Sequence, residues 1–300
     1  MKFLSPERLG ALYAASSGLC YGLVGYFGIR IIDAGSSVSS MLFWRFFVAT
    51  VFMGLLLIPQ YKQVLQSGMQ GLKAFLYGML FYGSSTTIYF IASQYIGTGL
   101  AMVIFFTFPA MVMLINVLAY KATIGKIYYL AFAMIAVGLA FLVNPESISF
   151  DLYGIALGVL CAFLYAIYIA ATKKITLPPM VSTLLVSAGC MMSGLVFALY
   201  DSSFTVPVDY ASWCNILCMG LICTAIPILL MLQGFKYISS EKASMLSVLE
   251  PVFVVIFGIV LLGEAVCGKE FIGIAAVLSG ALLTLFSDRE SVVLVDNAKK

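Results

Sequence analysis

Histidine is absent from this 300-residue chain, and charged residues make up only 10% of it. The first absence removes the commonest general base, proton shuttle and metal ligand together. The second falls far below the roughly 25% of soluble domains. With 63% hydrophobic residues, the chain has too little polar surface to cover a soluble fold of its size. A phosphate-binding loop of the Walker type is missing too, so the chain does not by itself use ATP. Paired acids within apolar stretches and metal-ligand clusters are also lacking, which argues against an intramembrane enzyme, and no cofactor is expected. A channel is disfavoured because no ring of repeated charged or carbonyl groups is visible. The seven cysteines (Cys20, Cys161, Cys190, Cys214, Cys218, Cys223 and Cys267) have no zinc-like spacing, and their number is odd. They read as reduced, small apolar side chains.

What is present is membrane-spanning sequence. Apolar stretches of about 20 residues occur near 9–31, 39–59, 73–93, 97–119, 124–143, 153–172, 181–200, 212–234, 239–262 and 269–286. The connections are short, and the first stretch lacks a cleavage signal, so it is expected to remain as a helix. Lysine and arginine alternate strongly between the two sets of loops: 13 fall on the side of the termini and at most 2 (Arg30 and Lys269) on the other, with Arg45 inside the second stretch. By the positive-inside rule both termini are cytoplasmic and the number of spans is even. The expected location is a bacterial inner membrane.

The chain also repeats itself. Tyr95, Ile96, Ala101, Pro109 and Gly138 reappear as Tyr237, Ile238, Ala243, Pro251 and Gly280, each 142 positions later. Gly10 and Tyr21 align with Gly154 and Tyr165 at a spacing of 144. Ten spans in two copies gives five per copy, and an odd number forces the second copy to enter from the opposite side. The expected architecture is an all-α membrane protein with ten transmembrane helices as two inverted five-helix repeats, 9–143 and 153–286, followed by a cytoplasmic tail, 287–300.

The stretch from Glu241 through Glu250 and Pro251 to Phe253, followed by Leu261, Leu262, Gly263, Glu264, Gly273 and Gly280, resembles the second-half signature of the EamA family of the drug/metabolite transporter superfamily. The first-half counterpart, Ala101, Thr107, Phe108, Pro109 and Gly138, is similar but lacks the acidic residue before proline. Trp44, Arg45 and Phe46 resemble the family's arginine position. The resemblance implies a carrier with a central cavity and alternating access, moving a small metabolite such as an amino acid or related solute. Its partners would be that solute and the bilayer, not nucleic acid, and a monomer suffices. Transport would be facilitated diffusion or proton-coupled.

Polar residues inside the spans are the site candidates. Glu250 lies near mid-membrane, where a carboxylate is costly unless neutral, paired or wet. It reads either as a coupling or cation-binding group or as a hydrogen-bonded tie beside Pro251. Arg45 either snorkels to the outer interface or anchors a solute carboxylate or an acidic side chain. Tyr82, Ser85 and Tyr89 share a helical face, as do Tyr165 and Tyr168. With Tyr21 they either line a solute cavity by stacking and hydrogen bonding or pack the bundle. Ser240, Ser244 and Ser247 share one face, Ser247 being placed with the solute-binding set. Gly18, Tyr21 and Gly25 share another, suited to close helix contact. Pro109, Pro227 and Pro251 are expected to kink their helices.

Overall fold

The structure is a computed structural model describing residues 5–121, 123–142, 151–262 and 268–286. The tail 287–300 and the residues Glu146, Gly263, Glu264 and Cys267 lie outside the described residues. Regular structure among the described residues is entirely helical. The elements are α1 (Pro6–Tyr21), α2 (Val24–Asp33), α3 (Val38–Leu57), α4 (Tyr61–Leu65), α5 (Gly68–Tyr77), α6 (Ser84–Ile96), α7 (Thr98–Phe105), α8 (Phe108–Tyr120) and α9 (Lys126–Leu142). They continue with α10 (Leu152–Thr172), α11 (Pro179–Tyr200), α12 (Tyr210–Gly220), α13 (Ile226–Gly234), α14 (Ser240–Ser247), α15 (Glu250–Leu262) and α16 (Gly268–Phe286). Short polar side chains start the helices where the sequence changes from loop to apolar run. Ser5, Ser37, Asp151, Asp209 and Ser239 each accept a hydrogen bond from the backbone N–H three residues on, satisfying a donor that the first turn leaves free.

Among the described residues, seven helical stretches are long and apolar enough to cross a membrane: Pro6–Asp33, Val38–Leu65, Thr98–Ala119, Leu152–Thr172, Pro179–Tyr200, Tyr210–Gly234 and Ser240–Leu261. Two shorter apolar helices, Lys126–Leu142 and Phe271–Thr284, join them. The stretch from Gly68 to Ile96 is long but carries Ser84, Ser85, Thr86 and Thr87 at its centre. Its polarity belongs to the protein interior, since Tyr82, Ser85 and Thr87 are buried.

Several of these stretches are interrupted, and the interruptions repeat. The helix breaks between Phe105 and Phe108, with Pro109 opening α8, and again between Ser247 and Glu250, with Pro251 opening α15. Both breaks fall at positions 142 apart. Proline lacks the N–H that would have continued the ladder, and the first turn of a new helix is where that loss costs nothing. The prolines therefore start new helices where kinks within continuous ones were expected. A π-turn over Gly78–Gly83 joins α5 to α6, and its counterpart over Leu221–Ala225 joins α12 to α13. Such π-turns are frequent at functional sites.

Contacts between the halves are reciprocal. A Cβ on Gly10 would fall 2.7 Å from Tyr237 Cβ and 3.0 Å from Ile238 Cγ2. A Cβ on Gly154 would fall 2.6 Å from Tyr95 Cβ and 2.7 Å from Ile96 Cγ2. The start of each half thus packs on the equivalent segment of the other, and only glycine permits the approach. Along α9 and α16, a Cβ on Gly138 would meet Gly273 O and Val277 at 2.8 Å, and one on Gly280 would meet Ala131 O at 2.7 Å. The late part of each helix therefore contacts the early part of the other, so these two equivalent helices run antiparallel.

Candidate functional site

The interruptions converge on one cluster of rings. Tyr21 ends α1, and its hydroxyl lies 2.8 Å from that of Tyr82, which sits within the first π-turn. The Tyr82 ring stacks on Tyr168 at 4.8 Å and meets Tyr165 at 5.4 Å, both from α10. Phe46 of α3 closes on Tyr82 edge-on at 5.7 Å. Phe108, the first residue of α8, stands edge-on to Tyr165 at 4.8 Å, and Phe105 joins Tyr165 to Tyr89. The edge-on and offset geometries are those aromatic quadrupoles favour.

Of the residues singled out from sequence, Tyr21, Tyr82, Tyr165 and Tyr168 are buried together, and Tyr89 is half-buried at the cluster's edge. Ser85 is buried too, but its hydroxyl donates to Cys161 O at 2.7 Å and so ties α6 to α10. Ser247 is likewise engaged, donating to Ser244 O of its own helix at 2.8 Å. On α1, Gly18 approaches the α14–α15 break, a Cβ there falling 3.3 Å from Glu250 N and 3.4 Å from Ser247 O. Gly25 faces open space, because the chain turns at Gly22 and Leu23 before α2 begins. Gly22 takes the expected role of Gly25, with Phe253 against it. Of the six cysteines described, Cys161, Cys190 and Cys223 are buried, and all six are free thiols.

Arg45 does not snorkel. Its side chain is 3% exposed and points across the bundle. Its Nε donates to Thr224 Oγ1 at 3.0 Å and its Nη2 to Cys223 O at 3.3 Å. Both acceptors belong to the second π-turn, whose register shift supplies a carbonyl to the guanidinium. The guanidinium also lies 4.9 Å from the centre of the Phe46 ring, within cation–π range. Five N–H donors in a fixed fork allow Arg to hold a backbone turn while keeping donors for another group. Sequence alone did not reveal Thr224 and Cys223 as its partners.

Glu250 is half-buried and is the first residue of α15, directly after the break. A helix N-terminus favours negative charge, which makes this a tolerable place for an acid inside a membrane. Arg45 is the basic group acting electrostatically on Glu250, and Glu250 acts in turn on Tyr82, Tyr89 and Tyr165. Among the described residues the cluster therefore has one basic member, Arg45, which reaches from the continuous helix α3 to a π-turn, and one acidic member, Glu250, presented by a helix break.

Residues 8–144 and again 152–286 match the EamA-like transporter family. The chain belongs to that family. An uncharacterized transporter of Archaeoglobus fulgidus is 32% identical over 72 residues, covering 24% of this chain and 27% of that protein. One crystal structure of a protein superposes with a TM-score of 0.75 at 17% identity, covering 91% of this chain and 95% of that one. At that identity the likeness speaks for the fold. The protein is thus a multi-pass membrane protein of the EamA-like transporter family.

One end of this EamA bundle is held by polar contacts absent from the aromatic cluster. Lys242, buried near the start of α14, forms an ion pair with Glu7 of α1. Asn116 of α8 donates to Ser240 Oγ at 3.0 Å and to Glu241 Oε1. Lys173, following α10, donates to Ile238 O at 2.7 Å and to Phe235 O. These side chains join the start of α1 and the end of α8 to the start of α14, and the end of α10 to the α13–α14 connection. They come from the lysine-rich side of the sequence. At the other end, Trp44 donates to Thr205 O at 2.9 Å and Ser39 to Asp201 at 2.8 Å.

Proposed function

We propose that this EamA-family protein is a secondary carrier of a small organic metabolite, an amino acid or related solute, working by alternating access. The observation that carries this reading is the convergence of helix interruptions on one buried group of side chains. Tyr21 ends a helix, Tyr82 lies in a π-turn, Phe105 and Phe108 flank a break, Glu250 follows a break, and Arg45 holds the second π-turn. Interrupted membrane helices free backbone donors and acceptors for a solute and provide points about which half-helices move. Tyrosines supply stacking faces with hydroxyl tips, which suit an amphipathic solute.

Ten spans in two inverted repeats is the arrangement this reading adopts, with repeats near 9–143 and 153–286 and both termini in the cytoplasm of a bacterium. The antiparallel α9–α16 contact, the reciprocal glycine contacts and the 13-to-2 distribution of cations support it. Rocking one half against the other then exposes the cluster to each side in turn, and a monomer contains the whole pathway. Glu250 is the group through which a proton gradient would act, and Arg45 the one that would hold an anionic end of the solute.

The experiment is uptake into proteoliposomes, preceded by a thermal-shift screen of amino acids and nucleotide-linked metabolites, since a bound solute stabilises by mass action. Saturable uptake with counterflow of the preloaded solute is expected. Flux that rises linearly without saturation would sink the carrier reading.

A further inference from the structure

The segments that meet at the lysine-rich end have counterparts at the other end, but the polar ties between them do not. At the lysine-rich end α1, α8 and α14 are joined by the Glu7–Lys242 ion pair and by Asn116, which donates to Ser240 and Glu241. The repeat spacing of 144 for the first helix carries Glu7 onto Asp151. The spacing of 142 for the later helices carries Lys242 onto Leu100, Asn116 onto Gly258, and Ser240 and Glu241 onto Thr98 and Gly99. Leu100 has no charge to offer Asp151, which instead caps α10 by accepting from Gly154 N at 2.7 Å. Gly258 has no side chain to donate. Lys173, which holds the carbonyls of Phe235 and Ile238, likewise falls on Ile29. The backbone packing beneath is nonetheless shared, Gly10 lying against Tyr237 and Ile238 as Gly154 lies against Tyr95 and Ile96. The polar contacts of Ser39 and Trp44 at the other end join α3 to the α11–α12 connection and not these segments.

We propose that Glu7 and Lys242, backed by Asn116 and Glu241, form a latch that opens and shuts the lysine-rich end of the pathway, while the equivalent segments at the other end close by apolar packing. The latch rests on the alternating access proposed above and adds that the two openings are unequal. The Lys242 side chain is 4% exposed and that of Glu7 39%, so the pair stands where the bundle gives way to water. An ion pair at such a boundary has two states of comparable free energy, because the attraction lost on opening is offset by hydration of both charges. Leucine at the same place has one favoured state, since opening returns apolar surface to water. A cleft of about 200 Å³, lined by Lys173 and Phe235 among others, brings solvent-sized space to the neighbouring tie as well.

Hydrogen–deuterium exchange of the full chain in nanodiscs, read at 240–247 and at 152–158, tests the latch. Glu7→Gln takes the carboxylate from a buried ammonium, a cost that opening to water relieves. Exchange at 240–247 should therefore quicken about tenfold, the scale of one charge-assisted hydrogen bond. Exchange at 152–158 should slow, because a carrier open at one end is shut at the other. Lys242→Leu, which copies Leu100, should keep the end shut and leave 240–247 exchanging no faster than in the unaltered protein. The latch is overturned if Glu7→Gln changes neither end or only 240–247, as a local tie would, or if Lys242→Leu loosens 240–247 as Glu7→Gln does. The carrier reading is judged separately, by whether uptake by the unaltered protein saturates.

Discussion

The Tyr21–Tyr82 hydroxyl pair gives the most direct test of whether the interruptions act as one unit. The two oxygens are 2.8 Å apart, and the residues are 8% and 6% exposed. Replacing either tyrosine by phenylalanine keeps the ring contacts, including the 4.8 Å stack of Tyr82 on Tyr168. It also strands the partner's hydroxyl, at a cost of about 1–3 kcal/mol. Replacing both removes the need for a partner, so the double variant should be destabilised by less than the two single variants together. The expected coupling is about 1–2 kcal/mol. Equilibrium unfolding of the four proteins in mixed lipid–detergent micelles, titrated with SDS, reads it directly. Strict additivity of the single effects would refute the idea that the end of α1 and the first π-turn are linked by this bond.

Four further outcomes are expected. Gly138→Ala and Gly280→Ala each place a methyl against a backbone carbonyl at 2.7–2.8 Å and should destabilise by about 1–3 kcal/mol; Gly25→Ala, with nothing within 4 Å, serves as the neutral control in the same SDS titration. Arg45→Lys cannot reproduce the paired contacts to Thr224 and Cys223, and proteoliposome uptake should fall about tenfold or more. Glu250→Gln should flatten the pH dependence of uptake, and an unchanged rate and profile would dismiss a coupling role. Asp201, outside the spans, has its carboxyl pKa held below the ordinary value: slight burial acts to raise it, but the Ser39 hydroxyl and Ser203 N–H bonded to it outweigh that. A depressed folded pKa gives stability that is present above about pH 4 and lost as pH falls below it, so unfolding midpoints measured from pH 6 to 3 should drop less steeply in Asp201→Asn.

Periodicity and composition reveal which parts of this fold are membrane-like, because about 20 apolar residues in a row is a local property. Pro109 and Pro251 were visible for the same reason, since a missing N–H acts at its own position. What they do was less visible: each opens a new helix instead of bending an old one, because the two preceding residues have left the helical ladder. The π-turns carried no comparable signal. Gly78 and Gly83 sit where α11 passes so close that a Cβ would meet Val186 O at 2.3 Å and Ser193 Cβ at 2.6 Å, and that closeness is set by a segment more than a hundred residues away. Arg45 failed for a related reason. Its depth could be counted along one helix, but its destination, Thr224, lies 179 positions on.

The two halves share their backbone interruptions yet differ in what those interruptions present. Phe108 opens α8 with a ring laid edge-on to Tyr165, whereas Glu250 opens α15 with a carboxylate. Under the proposed alternating access, equivalent breaks would let the same movement serve both sides of the membrane. With different first residues, a solute held there as proposed would meet an apolar face from one half and an acidic group from the other. In the proposed carrier, a pathway with that polarity would orient its solute whichever side is open. The acid at position 250 therefore matters less for having no acidic counterpart in the repeat than for standing at the start of a half-helix whose partner position, Phe108, offers only stacking.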